Sequence, residues 1–127
     1  MSKLYYVAVA VVLVGFATAL TISVSADDKK MTIKEIMEKA HKGKESPVQS
    51  VIAGKADDKM LKEFLTYYKT MGDLKPPKGD VAGWKRKTTA LADATQALID
   101  KKPNAQEGFK TAVDCKACHS EYKPQKK

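Results

Sequence analysis

Residues 104–122 read NAQEGFKTAVDCKACHSEY, and this stretch decides the fold. Pro103 stands before it and Pro124 just after it. A helix capped by Asn104 therefore has natural limits at both ends. Phe109, Ala112, Val113, Cys115, His119 and Tyr122 fall mostly on one side of that helix, the pattern of a segment packed on a core. Inside it, Cys115-Lys116-Ala117-Cys118-His119 sets two thiols three residues apart with an imidazole beside the second. Residues three and four apart share a helix face, so these side chains can act on one target. The chain has only these two cysteines. A secreted domain stapled by disulfides spreads its cysteines along the chain, so this pair is predicted to do local chemistry.

Upstream of Pro103 the periodicity is helical throughout, with no strand pattern. Asp80 begins a helix in which Trp84, Leu91 and Leu98 fall seven apart with Thr88 and Thr95 between them, a seam that packs one helix along another. The stretch from Asp73 to Gly79, with Pro76-Pro77 inside it, reads as a loop. Before it, Asp57-Asp58 opens a helix at the end where the helix dipole favours acids. Its apolar rows are Met60, Phe64, Tyr67, Met71 and, beside them, Leu61, Leu65, Tyr68. Gly72 is placed as its C-cap, and Tyr67 and Tyr68 are expected to pack with their hydroxyls near the surface. Thr32-Ile33-Lys34-Glu35 has the form of a capping box and starts the first helix, whose stripe runs Ile33, Ile36, Met37, Ala40 with His41 on the same face. Gly43 interrupts that helix. Ser46 then caps a restart, with Pro47 in the first turn and Val48, Val51 and Ile52 as its apolar residues. Four amphipathic helices with short connections predict an all-α, antiparallel four-helix bundle in a single domain.

That domain covers residues 27–127. The first 26 residues differ: Lys3 is their only charge, Leu4 to Ala26 has none, and Val24-Ser25-Ala26 offers small residues before Asp27-Asp28. This is the layout of a secretory signal peptide. The uncharged run is also long enough to be retained as a membrane anchor. Either outcome places the domain outside the cytoplasm, in a periplasmic or equivalent compartment, with a membrane involved only if the segment is kept. The whole chain carries 23 basic and 15 acidic residues, a net charge of +8. Acids and bases alternate along it, which argues against a nucleic-acid-binding arm and for a lysine-rich solvated surface or an acidic partner.

C-x-x-C-H is the signature of c-type haem attachment. On a helix both thiols reach one edge of a porphyrin, and His119 turns towards the iron as proximal ligand. A thioredoxin-like dithiol needs a βαβ setting that the helical periodicity does not offer. A structural zinc site needs four ligands, and the only other histidine, His41, lies far away in sequence. The expected cofactor is therefore one covalent haem c, held by Cys115 and Cys118.

A C-x-x-C-H on the last of four helices resembles the class II cytochromes c, which include cytochrome c′ and the cytochrome c556 group. The resemblance spans about Thr32 to Tyr122 and rests on Cys115, Cys118, His119, the helix order and Ile36-Met37-Glu38-Lys39. Class I cytochromes c carry the motif near the N-terminus and supply a Met after it, whereas no Met follows His119 here. The resemblance implies that the first helix meets the distal haem face. It offers Met37 as sixth ligand in the manner of c556, or an open iron in the manner of cytochrome c′, with His41 one turn on from Met37. As the only other histidine, on an apolar face, His41 is itself a candidate distal ligand. Trp84 is a candidate for packing on the porphyrin edge, and Lys85, Arg86 and Lys87 for pairing with its propionates. The activity implied is one-electron transfer with acidic redox proteins by a non-enzymatic carrier, and a homodimer or heterodimer is compatible with the apolar rows. Binding of nitric oxide or carbon monoxide at an open distal site is the alternative. A peroxidase with His41 as its acid–base group ranks third.

Overall fold

Thr32 starts the first described helix as its capping box requires. Its hydroxyl accepts the Glu35 N–H at 3.2 Å while the Glu35 carboxylate accepts the Thr32 N–H at 2.7 Å. The structure, a computed structural model, describes residues 30–126, and among these helix is the only regular element. The expected signal segment lies outside the described residues. Helix α1 (Ile33–Ile36) runs straight into a π-helical turn, Met37–His41, which ends where Lys42 turns extended and Gly43 adopts φ 98°. Such turns are rare and concentrate at functional sites.

Pro47 opens α2 (Pro47–Ile52) from the first turn. Ser46 does not cap it: its hydroxyl is buried and without a hydrogen bond. Asp57 caps α3 (Asp58–Asp73) by accepting the Met60 N–H at 2.8 Å. The buried residues of α3 are Leu61, Phe64, Tyr68 and Met71, a stripe drawn from both apolar rows. Their 3-4-3 spacing is the seam by which two helices pack side by side.

Helix α4 (Val81–Ile99), capped by Asp80, returns antiparallel to α3. The Trp84 indole N–H donates to the Met71 carbonyl at 2.8 Å, joining the two ends of the hairpin. Thr88 and Thr95 are buried in the seam because their hydroxyls bond the carbonyls one turn back, Trp84 at 3.1 Å and Leu91 at 2.7 Å. Gly72 lies within α3, which ends one residue later with Leu74 as its cap. A Cβ at Gly72 would stand 2.9 Å from the Thr88 hydroxyl, so close helix approach accounts for this glycine.

The last expected helix is two. Helix α5 (Ala105–Ala112) stops at Val113, whose ψ of 45° leaves the helical region, and α6 (Cys115–Tyr122) begins anew. Asp114 makes the break, its carboxylate accepting the Ala117 N–H at 2.9 Å. A short acidic side chain competes for backbone donors and favours a cap over a helix interior. Asn104 precedes α5 in a left-handed conformation and supplies no side-chain cap. Gln106 on α5 instead reaches across to donate to the Val51 and Ile52 carbonyls at the end of α2, at 2.7 and 2.8 Å. Phe109 is completely buried next to the Tyr68 ring. At the other end Tyr122 lays its ring against Gly79 and edge-on to Trp84, centroids 5.2 Å apart, and so binds α6 to the start of α4. The product is a bundle-like set of packed helices with the motif on its final element.

Candidate functional site

Because Asp114 restarts the helix, all of Cys115-Lys116-Ala117-Cys118-His119 falls in the first turns of α6. Cys115 is exposed, with its thiol 3.5 Å from the Val113 carbonyl. Cys118 is half-buried and His119 exposed. Two cavities flank the motif, of about 630 Å³ and 720 Å³. Each is of the size that holds a small molecule or cofactor. Cys118, His119, Met37 and Met71 border both. The first is completed by Ile33, Trp84 and Tyr122 among others, with the exposed Lys34, Lys75 and Lys123 at its rim. The second takes in Cys115, His41, Leu91 and Val113, with Lys87 and Asp114 as its charged residues.

The expected site residues therefore gather. Met37 and His41, from the π-helical turn, border the second cavity together with both cysteines and His119, and Trp84 stands in the wall of the first. The basic run Lys85-Arg86-Lys87 does not act as a unit. Lys85 pairs with Asp73 at 3.3 Å and Arg86 with Asp80 at 3.9 Å, while Lys87 alone reaches a cavity.

Electrostatics tie the same groups together. Burial pushes His41 down to about 4, and charge on His119 acts in the same direction, so His41 is a neutral imidazole at neutral pH. Its Nε2 lies 3.2 Å from the Tyr68 hydroxyl, and its ring meets those of Phe64 and Tyr68 at centroid distances of 6.1 and 5.8 Å. Burial holds the Tyr68 hydroxyl protonated well above the ordinary phenol range, with Cys115 adding to the effect. This corrects the expectation of a surface hydroxyl: Tyr68 is wholly buried. Burial also raises the Cys118 thiol, opposed by Lys87 and reinforced by Cys115, Glu121 and Asp114. Reactive redox thiols are activated the opposite way, by a lowered pKa.

No family model, curated protein or solved structure matches this chain. The site must be read from its own chemistry. Among the described residues no three His, Cys, Asp or Glu side chains gather as a cage for a bare metal ion. None of the described helices is long and apolar enough to cross a membrane. Two thiols and an accessible imidazole stand between largely apolar cavities lined by the Met37 and Met71 thioethers, a donor set suited to an apolar group that brings its own metal. Two members escaped the sequence. Met71 borders both cavities, and Tyr68 holds the one polar contact of His41; the 3-4-3 register of Leu61, Phe64, Tyr68 and Met71 was the signal that marks both as inward-facing.

Proposed function

We propose that this chain is an extracytoplasmic, periplasmic-type monohaem c-type cytochrome that carries single electrons between redox partners. In this reading α5 and α6 together make the fourth member of an antiparallel four-helix bundle, and the haem is attached to α6. One observation carries it: Cys118 and His119, on the capped start of α6, stand in the walls of both apolar cavities. When bound, the haem supplies reversible one-electron chemistry at its iron. Cys115 and Cys118 would hold it through thioethers, His119 would ligate its iron, and Met37 and His41 of the π-helical turn, which border the same cavity, would be the candidate second ligands. Met71, Trp84 and Leu91 make the cavity walls apolar and would exclude water from a bound group. The exposed Lys34, Lys75 and Lys123 at the rim of the first cavity attract an acidic partner, and such encounters are brief and weaken with salt.

A second reading is binding of nitric oxide or carbon monoxide at an open distal site: the engagement of His41 Nε2 with Tyr68 takes up one of the two candidate sixth ligands and leaves only Met37 to close it. One preparation separates the two. The full chain, exported from a host that matures c-type cytochromes, should carry one covalent haem and give a six-coordinate, low-spin spectrum that carbon monoxide barely perturbs. High-spin ferric haem with rapid carbon monoxide binding supports the second reading. Absence of covalent haem refutes both.

A further inference from the structure

His41 and Met37 sit four residues apart in the same π-helical turn, and both border the cavity that holds Cys115, Cys118 and His119. Their side chains differ in what else they must satisfy. The Tyr68 hydroxyl is wholly buried on α3, and His41 Nε2 is its one hydrogen-bond partner. A buried hydroxyl needs an acceptor for its hydrogen, and an unpaired one is costly. Nε2 is the acceptor within reach, so Tyr68 donates to it, and the proton of the neutral imidazole lies on Nδ1. In that tautomer neither ring nitrogen has a free lone pair. A metal drawing on Nε2 would strip Tyr68 of its partner inside the core. The Met37 sulfur carries no such obligation, and Met37 borders both cavities with Cys118 and His119 while His41 borders one.

We infer that Tyr68 is a positioning residue that withholds His41 from the iron, leaving the distal position to the thioether of Met37. The inference rests on the haem reading above. Tyr68 thereby selects a histidine–methionine over a bis-histidine centre, and with it a higher reduction potential, since axial ligands are a main determinant of potential.

The holoprotein tests this in four forms: wild type, Tyr68→Phe, His41→Gln, and the double variant. Wild type and His41→Gln should both show the thioether-to-iron charge-transfer band of the ferric protein. Tyr68→Phe keeps the ring and removes only the hydroxyl. It should lose the band, take on the electron paramagnetic resonance signature of a bis-histidine centre, and fall in midpoint potential. The double variant should regain the band. Loss of the band in His41→Gln, a bis-histidine wild type, or an unchanged spectrum in Tyr68→Phe each overturns the inference. If Tyr68→Phe fails to fold, wild type against His41→Gln still tests which residue ligates the iron, and absence of the band in either overturns the inference. A wild-type chain without covalent haem is a different result, since it refutes the reading on which the inference stands.

Discussion

His41 makes folding stability depend on pH, and the sign follows from its burial. The ring's ordinary value is 6.5, and in the folded chain it is pushed down to about 4 by desolvation and by His119. Above 6.5 the ring is neutral folded and unfolded, and its contribution is flat. Between 6.5 and 4 the unfolded chain takes up a proton that the folded chain refuses, so stability is lost as pH falls through that window. Below about 4 both states are protonated and the loss levels off. One pKa unit corresponds to about 1.4 kcal/mol, so the full loss is about 3 kcal/mol, reduced to about 2 if the partly exposed edge of the ring is solvated. The assay is urea unfolding followed by circular dichroism at several pH values from 7.5 to 4. His41→Gln serves as the reference that subtracts the carboxylates. The difference between the two stability curves should open between pH 6.5 and 4, and the midpoint of wild type should fall faster. Curves that stay parallel would mean that His41 titrates normally and is not desolvated by α3 and the motif.

Three further outcomes follow from the packing. Phe109→Ala empties a fully buried site beside Tyr68 and should cost about 3–5 kcal/mol, measured by the same urea melts. Gly79→Ala forces a Cβ at φ 84° to within 2.8 Å of the Tyr122 ring, and a loss of about 2 kcal/mol should lower the thermal midpoint. Asp114→Ala removes the cap that starts α6. It should cost about 1 kcal/mol, while Asp114→Asn, which keeps the accepting oxygen, should recover most of it.

Local chemistry was legible in the amino acids because it is decided within a few residues. The Thr32–Glu35 box, Asp57 and Asp80 as caps, Pro47 in its first turn and the Trp84–Leu91 seam all stand where spacing and side-chain type put them. The same holds for Cys115, Cys118 and His119: three residues in five share a helix face wherever that helix lies. Side-chain type misleads where a second element intervenes. Gly72 reads as a cap by itself, yet it marks where α4 presses Thr88 against α3. Ser46 and Asn104 are good caps by type but do not cap, while Gln106, in the first turn of α5, satisfies the end of α2, 54 and 55 residues earlier. Asp114 splits a periodicity that looked continuous, because a cap and a core stripe compete at one position and periodicity counts only the stripe.

Tertiary structure alone decided how the site is assembled. Nothing in the spacing of His41 and Tyr68, 27 residues apart, pairs them, and the pairing exists because α1 with its π-helical turn packs across α3. Met71 enters the site by the same route, from the α3 seam that the Trp84 indole secures. Hydrophobic pattern states which side chains turn inward. It does not state which of them meet, because that depends on how close the helices approach and in what register.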